Sequence, residues 1–318
     1  MSATKNVSLT GKLRPHQPAL AGFVHIFTQL NTTLDETRPG VLTDLDPEDL
    51  HDFRIAVRRT RAILGVAKRV LPGQVRDDFR LGFAALGVLT SPVRDLDVYL
   101  LGWPADVAEL VVTTQGALDP VLDQLRADRV VALAELRAGL ESLETVGLLT
   151  AWSEWLAAPK ASTRSSDANR PLGRIAADRL DVVHHELVRC GRAITAESSA
   201  EDLHQLRKDA KKLRYLLECL GGLPGRASQH AVVKKLKKLQ DNLGNHQDAD
   251  VHARMLLDLG RSTGLSKRPK TRTALRELAH HFEQCERDAR SEFTGRFERF
   301  DSKQTRRHLA ELQQRWRA

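Results

Sequence analysis

The sequence predicts an all-α protein built from two four-helix bundles that arose by internal duplication. The chain has 318 residues, of which 41% are apolar and 28% are charged, with only 2 tyrosines and 12 prolines. This composition favours helices over strands. Apolar residues recur at helical spacing along most of the chain. A fourteen-residue segment also occurs twice at an offset of 153 residues, so each copy defines a unit of ordinary domain size.

The first predicted unit covers residues 12–158 and contains four helical stretches. Apolar residues predict these stretches near residues 20–34, at 48–71, at 75–101 and from about 118 to 157. Asp46 precedes Pro47 and two acidic residues. This order is typical of a helix N-terminus, because a carboxylate caps the free N–H groups there. We therefore expect a helix to begin beside Asp46.

The second predicted unit covers residues 172–318 and follows a polar segment, residues 159–171, which we interpret as a linker. Helical stretches are predicted at 172–193, 200–220, 227–260 and 270–298, with a terminal helix near 302–316. Ser198 and Ser199 precede acidic residues in the manner of a helix cap. Two helical bundles joined by the linker are the simplest architecture.

The internal repeat carries a basic motif. Residues 48–61 read EDLHDFRIAVRRTR, and residues 201–214 read EDLHQLRKDAKKLR. The same offset aligns Asp95 with Asp248 and Asp97 with Asp250 further along the chain. A repeat that keeps its register over two separate segments indicates duplication of the whole unit.

Each copy of the motif forms a basic stripe beside an apolar stripe when it is placed on a helix of 3.6 residues per turn. The candidate anion-binding residues of the first copy are His51, Arg54, Arg58, Arg59, Arg61 and Arg69. Those of the second copy are His204, Arg207, Lys208, Lys211, Lys212 and Arg214. Lys234, Lys237 and Lys238 extend the basic surface of the second unit.

The net charge of +8 is divided unequally along the chain. Residues 1–160 carry 17 basic and 20 acidic side chains, whereas residues 161–318 carry 32 basic and 21 acidic side chains. Like charges three or four residues apart on a helix repel each other, so either nearby carboxylates or a bound anion must offset the stripes. Arginine suits phosphate because its planar guanidinium donates two parallel hydrogen bonds. A linear polyanion would match two stripes better than one small anion would.

The basic stripes also admit three alternative interpretations. Asp95, Asp97, Asp248 and Asp250 are candidates for neutralising the stripes through salt bridges. Binding to the phosphate backbone of duplex nucleic acid is a second alternative, since the same stripes attract any polyanion. A metal-dependent phosphohydrolase is a third, prompted by the spacing of His246, Asp248, Asp250 and His252. Helical residues two apart point about 200° away from each other, so these side chains cannot converge on one ion without a partner helix, and we predict no metal site. The sequence also contains no Gly-x-x-x-x-Gly-Lys phosphate loop and no His-Glu-x-x-His motif, so we predict no catalytic residues and no cofactor.

The two motifs resemble the CHAD family, the conserved histidine α-helical domain. The resemblance rests on His-x-x-Arg-x-x-x-Arg-Arg-x-Arg in one half, His-x-x-Arg-x-x-x-Lys-Lys-x-Arg-Tyr in the other, and the Asp-x-Asp-Val that follows each. It implies two four-helix bundles related by a pseudo-twofold axis, with basic surfaces that meet around a central channel. It also implies non-catalytic binding of inorganic polyphosphate and association with polyphosphate granules. Independently of the resemblance, the basic stripes would attract other polyanions as well.

Two further expectations concern the setting of the protein. Some members of the family are fused to a domain marked by Glu-x-Glu-x-Lys, and that motif does not occur here, so we expect a stand-alone member. No apolar stretch approaches the roughly 20 residues of a membrane span, and the first residues lack the pattern of a signal peptide. We therefore expect a cytoplasmic protein without membrane partners, and the sequence does not define its oligomeric state.

Overall fold

The computed structural model describes residues 12–159, 166–261, 264–265 and 267–318. Twelve α-helices and one short 3-10 turn account for most of these residues, which include no β-strand beyond one isolated bridge between Pro18 and Pro171. The all-α prediction is therefore confirmed. Residues 160–165 of the predicted linker lie outside the described residues.

The helices follow one another with short connections. The first half contains α1 (Ala19–Thr43), α2 (Pro47–Val66), α3 (Gly73–Leu89), α4 (Ser91–Ala108), α5 (Val112–Gln115), the 3-10 turn (Gly116–Leu118), α6 (Asp119–Glu141) and α7 (Leu143–Ala157). The second half contains α8 (Leu172–Arg192), α9 (Ala200–Cys219), α10 (Arg226–Leu259), α11 (Pro269–Phe300) and α12 (Lys303–Arg317). No helix among the described residues is both long enough and apolar enough to cross a bilayer.

Three pairs of helices begin at positions that differ by the offset of the sequence repeat. The starts of α1, α2 and α3 at residues 19, 47 and 73 correspond to the starts of α8, α9 and α10 at residues 172, 200 and 226. Helix α1 contacts α8, and α2 contacts α9. A pseudo-twofold relation would produce this contact between corresponding helices. The duplication itself stays a prediction that these positions support.

The two helices that carry the basic motifs begin at the predicted caps. The Asp46 carboxylate accepts a hydrogen bond from the Glu48 backbone N–H at 2.9 Å, and Pro47 occupies the first position of α2. Ser199 and Asp202 form a reciprocal capping box at the start of α9. These caps fix the register in which both motifs are displayed.

Two stretches that were predicted as single helices are each divided in two. Thr90 separates α3 from α4. Pro92 lacks the backbone N–H that would continue the helical hydrogen bonds across this point. The Leu86 carbonyl accepts from both the backbone N–H and the hydroxyl of Thr90, at 3.1 and 2.9 Å. Ser142 separates α6 from α7 in an extended conformation and caps α7 through the Thr145 N–H. The corresponding part of the second half lacks a proline, and α10 runs through it without a break.

The hydrophobic core draws on both halves of the chain. The larger cluster joins Phe53 and Trp152 of the first half to Leu213 and Trp316 of the second. A smaller cluster joins Tyr99, Trp103 and their neighbours on α4 and α6 to apolar residues of α10 and α11. Each core therefore contains residues from before and after the segment 159–171. The division into two units at that segment stays a prediction.

Candidate anion-binding site

Helices α2 and α9 pack against each other and bring the two basic motifs together. Their electrostatic interactions define a group that we call the basic cluster, whose members influence one another's ionisation. The basic cluster consists of His51, Arg54, Arg58 and Arg94 from the first half and Arg207, Lys211 and Arg214 from the second. Arg94 was not among the predicted site residues because its aligned counterpart in the second half is Gln247. Its position next to Asp95, which is repeated in the second half, is the sequence feature that could have indicated Arg94.

Lys211 lies where the cationic charge of the two halves combines. Burial, together with the charges of Arg207 and Arg58, lowers the pKa of Lys211 to about 8, whereas Asp248 acts in the opposite direction. Arg58 occupies the position in α2 that corresponds to Lys211 in α9 under the 153-residue offset. Equivalent cations of the two motifs are thus close enough to influence each other across the contact between the halves.

The pKa values of His51 and Asp95, close to this contact, are also shifted by burial and by neighbouring charges. Burial lowers the pKa of His51, and Arg94 lowers it further. Burial raises the pKa of Asp95 against the influence of Arg54 and Arg58, and Asp248 adds to the increase. Asp95 and Asp248, which hold equivalent positions in the two halves, are therefore close enough for Asp248 to raise the pKa of Asp95. They lie at the edge of a surface whose net charge is positive.

Arg54 is the deepest member of the basic cluster. The residue is only 5% exposed, and its Nη1 donates to the Thr90 hydroxyl at 2.8 Å and to the Ser91 hydroxyl at 3.2 Å. Burial and, after it, the charge of Arg58 lower the pKa of Arg54 to about 10. Arg54 therefore ties α2 to the break between α3 and α4, and it adds positive charge from beneath the surface.

Carboxylates neutralise part of the second stripe. Arg207 Nη1 lies 3.0 Å from Asp248 Oδ1, Lys208 Nζ lies 3.5 Å from Glu201 Oε1, and Arg214 Nε lies 3.7 Å from Glu218 Oε1. The pairing of Asp248 agrees with the predicted role of the repeated aspartates. Asp97 and Asp250 differ, because they pair with Arg129 and Arg254 away from the motifs.

Arg59 and Arg69, which we predicted as anion-binding residues, lie outside the basic cluster. Arg59 is 9% exposed and donates to Glu218 Oε2 at 2.9 Å, so it bridges α2 and α9. Arg69 follows the end of α2 and donates to the Ser166 hydroxyl at 3.1 Å from its Nη2. Both arginines therefore have protein partners in this structure.

The remaining predicted residues lie outside the basic cluster. Arg61 is exposed beside Arg80 of α3, and partial burial of its guanidinium lowers its pKa, with Arg80 contributing next. His204 is half-buried, and its Nδ1 has no hydrogen-bond partner within the described part of the chain. Lys212 is exposed on the side of α9 that faces Glu186 of α8. Lys234, Lys237 and Lys238 are exposed on α10.

The histidine and aspartate cluster that prompted the phosphohydrolase alternative does not converge. His246 Nε2 lies 2.6 Å from Glu286 Oε1, whereas the His252 ring packs against the Tyr99 ring at a tilted angle, with 4.4 Å between centroids. Asp248 and Asp250 pair with different arginines. Across the part of the chain that the structure describes, no three histidine, cysteine or carboxylate side chains are grouped as metal ligands would be.

A large cavity between α4, α10 and α11 has a different character from the basic cluster. Its volume is about 650 Å³, and carboxylates at four positions besides Asp248 contribute to its wall. These positions are Asp106, Asp241, Asp288 and Glu292. Lys238 and Arg296 also contribute to this wall, but the five carboxylates outnumber the two cations, so the wall as a whole would repel a polyanion. The basic cluster on α2 and α9 is therefore the better candidate site.

Comparisons with known proteins agree with this fold. The CHAD domain from the plant Ricinus communis is a similar solved structure, with 21% sequence identity, a TM-score of 0.67 and 94% of each chain covered. A second is PptA from Streptomyces chartreusis, with 19% sequence identity and a TM-score of 0.67. That comparison covers 88% of this chain and 99% of PptA. A search of curated proteins found no matching relative. The family profile of the CHAD domain matches residues 25–257, which include both basic motifs. The chain therefore belongs to the CHAD domain family.

Proposed function

We propose that this protein binds inorganic polyphosphate through the basic cluster and catalyses no reaction on it. One observation carries the proposal: α2 and α9 are in contact, and the cations at equivalent positions of their motifs, Arg58 and Lys211, are close enough for Arg58 to lower the pKa of Lys211. The CHAD family is associated with polyphosphate binding rather than with catalysis, which supports the same conclusion.

Repulsion among the cations of the unbound basic cluster favours the binding of an anionic ligand. Burial and like-charge neighbours make the protonated form of Lys211 costly. The three carboxylate pairs of the second stripe leave Arg58 and Lys211 without a pair within 4 Å among the described residues. Phosphate groups would replace the missing negative charge and accept charge-assisted hydrogen bonds.

The arrangement of the motifs favours a linear ligand. Helices α2 and α9 are each 20 residues long and lie in contact, so their stripes form one surface that crosses the boundary between the halves. A chain of phosphates presents negative charge at regular intervals and can contact both stripes at once. Simultaneous contact raises the affinity because the second stripe is engaged within the same complex.

A filter-binding titration with long-chain polyphosphate at two salt concentrations tests the proposal. In the double variant Arg58→Ala/Lys211→Ala we expect the affinity to fall by about tenfold or more, because each charge-assisted hydrogen bond contributes about 1.5–3 kcal/mol. The matched control is Lys270→Ala/Arg276→Ala, which removes the same two charges from exposed positions of α11. Equal affinity in the two double variants would show that general charge, rather than the basic cluster, drives binding.

Competition with duplex DNA separates polyphosphate binding from general polyanion binding. Tyr215, which directly follows the second motif, is 7% exposed and lies beneath the Arg214 guanidinium, so it offers no open ring on which a base could stack. We expect polyphosphate to displace DNA at physiological salt. A fluorescent fusion that collects on polyphosphate granules, and that disperses in the Arg58→Ala/Lys211→Ala variant, would extend the proposal to the cell.

A further inference from the structure

A second basic surface lies on the far side of α10, where α11 ends and α12 begins. Side chains from these three helices line an open cleft of about 340 Å³ there. The lining residues are Lys235, Lys238, Arg296, Arg299, Ser302 and Gln304. Among these described residues four are cationic and none is acidic. The volume is at the lower end of the range of about 300–1,000 Å³ that is usual for small-molecule sites.

The positive charge of this cleft is only partly neutralised. Arg296 Nη2 lies 2.8 Å from Glu292 Oε2, whereas Lys235, Lys238 and Arg299 have no carboxylate within 4 Å among the described residues. Three cations without a carboxylate partner thus line one space, and an anion would relieve their mutual repulsion.

Neutral groups hold the cleft in shape. Lys235 Nζ donates to the Ser302 hydroxyl and to Gln304 Oε1, each at 3.0 Å, which ties α10 to the first turn of α12. Ser302 caps α12 by accepting from the Thr305 N–H. The N-terminus of this 15-residue helix therefore adds positive potential to a cleft that is already lined by cations. The cap also leaves the first free N–H groups of α12 at this end of the cleft.

The cleft is separate from the basic cluster. Each residue turns an α-helix by about 100°, so Asp248 projects about 140° away from Lys235 on α10. The contacts of Lys235 show that its side faces α12, whereas the contact between Asp248 and Arg207 shows that another side faces α9. Neither α11 nor α12 contributes a cation to the basic cluster.

We infer that the cleft between α10, α11 and α12 is a second anion site, which binds short condensed phosphates of two or three phosphate groups. Lys235 and Arg299 would contact the phosphate oxygens directly, and Lys238 would close the side toward α10. This second site is independent of the basic cluster, because its residues are different and lie on different helices. A single phosphate group would leave most of the cations of the cleft without a partner, which is why we favour a short chain of phosphates.

Acetylation footprinting with tripolyphosphate as the probe tests this site directly. Mass spectrometry would measure the reactivity of Lys235 and Lys238 in the full chain at increasing tripolyphosphate concentration. We expect both lysines to be protected in the wild type and equally in Arg58→Ala/Lys211→Ala. In Arg299→Ala the concentration for half protection should rise by about tenfold, as expected for loss of a charge-assisted hydrogen bond.

Calorimetry provides a second readout that does not depend on lysine reactivity. The variant Lys235→Ala/Arg299→Ala should bind one tripolyphosphate fewer than Lys270→Ala/Arg276→Ala, which carries the same loss of charge at exposed positions of α11. Its affinity for long-chain polyphosphate should match that of the control. The second site is ruled out if tripolyphosphate protects neither lysine, if protection disappears in Arg58→Ala/Lys211→Ala, or if the two double variants bind the same number of tripolyphosphate ions.

Discussion

At the scale of single residues, Lys211 makes the proposed binding depend on pH. Burial and the neighbouring arginines lower its pKa from 10.5 to about 8, so the lysine loses its proton as the pH rises from 7 to 9. A bound polyanion favours the protonated form. We therefore expect the affinity for polyphosphate to decrease across this interval, as measured by filter binding at constant ionic strength.

The variant Lys211→Arg provides the control for this pH dependence. A guanidinium keeps its charge well above pH 9, so binding by Lys211→Arg should vary little between pH 7 and 9. A decrease of the same size in the wild type and in Lys211→Arg would contradict the role that we give to Lys211.

Arg59 serves the contact between the halves rather than the proposed ligand. Its ion pair with Glu218 joins α2 to α9 at a position that is largely buried. We expect Arg59→Ala to lower the free energy of unfolding by about 1–3 kcal/mol, the usual cost of losing a hydrogen bond between charged groups. Urea denaturation would measure this change, and filter binding should show the same affinity for polyphosphate as in Lys270→Ala/Arg276→Ala.

Lys212→Ala is the matched control for Arg59→Ala, because Lys212 holds the equivalent position of the second motif and is exposed. Its stability should remain within about 0.5 kcal/mol of the wild type, as is usual for surface substitutions. Equal destabilisation by the two variants would argue against a bridging role for Arg59.

The sequence predicted the residue types of the site better than their exposure. Arg54, Arg58 and Arg61 fall on one face of the predicted helix because the helical period alone places them there. Arg54 is nevertheless buried, since α3 and α4 meet above it, whereas Arg58 is exposed. Such differences depend on the packing of helices that are distant in sequence, and the helical period contains no information on that packing.

At the scale of helices, the break between α3 and α4 holds one edge of the basic cluster. The Thr90 hydroxyl accepts the hydrogen bond from Arg54 and donates to the Leu86 carbonyl. Thr90→Val keeps the shape of the side chain but leaves the buried guanidinium without this acceptor. We expect a loss of about 1–3 kcal/mol in the free energy of unfolding, which urea denaturation would measure.

Thr273→Val tests whether the loss at Thr90 is specific. Thr273 also donates to the carbonyl of an earlier helical residue, Pro269, but it is exposed. Its replacement should change the free energy of unfolding by less than about 0.5 kcal/mol. The interpretation of Thr90 as an anchor for Arg54 would be wrong if both replacements had the same small effect.

Helix boundaries were predicted where the sequence contains a cap and were missed where a break interrupts a continuous apolar pattern. Asp46 and Ser199 mark the starts of α2 and α9 in the sequence and in the structure. The apolar pattern continues through Thr90 and Ser142, so it hid the two breaks there. Pro92 and Ser142 were the local signals that could have revealed them, because each residue type favours a helix start.

At the scale of the whole molecule, the repeat and the polar segment 159–171 suggested two units with separate cores. The structure shows two hydrophobic clusters, and each contains residues of both halves. Periodicity identifies which face of a helix is buried but not which helix covers that face. The contacts between α1 and α8 and between α2 and α9 were therefore beyond the reach of the sequence alone.

The shared cores predict that the two halves unfold together. Three of the four tryptophans, Trp103, Trp152 and Trp155, lie in the first half, so fluorescence is weighted towards that half, whereas far-ultraviolet circular dichroism reports on the helices of the entire chain. We expect one transition in urea with the same midpoint by both methods, because exposing either half removes the apolar partners of the other. A separately produced fragment of residues 1–160 should lack a cooperative transition for the same reason. Two separate transitions, or a fragment that unfolds cooperatively with native-like stability, would show instead that each half is stabilised by contacts within itself.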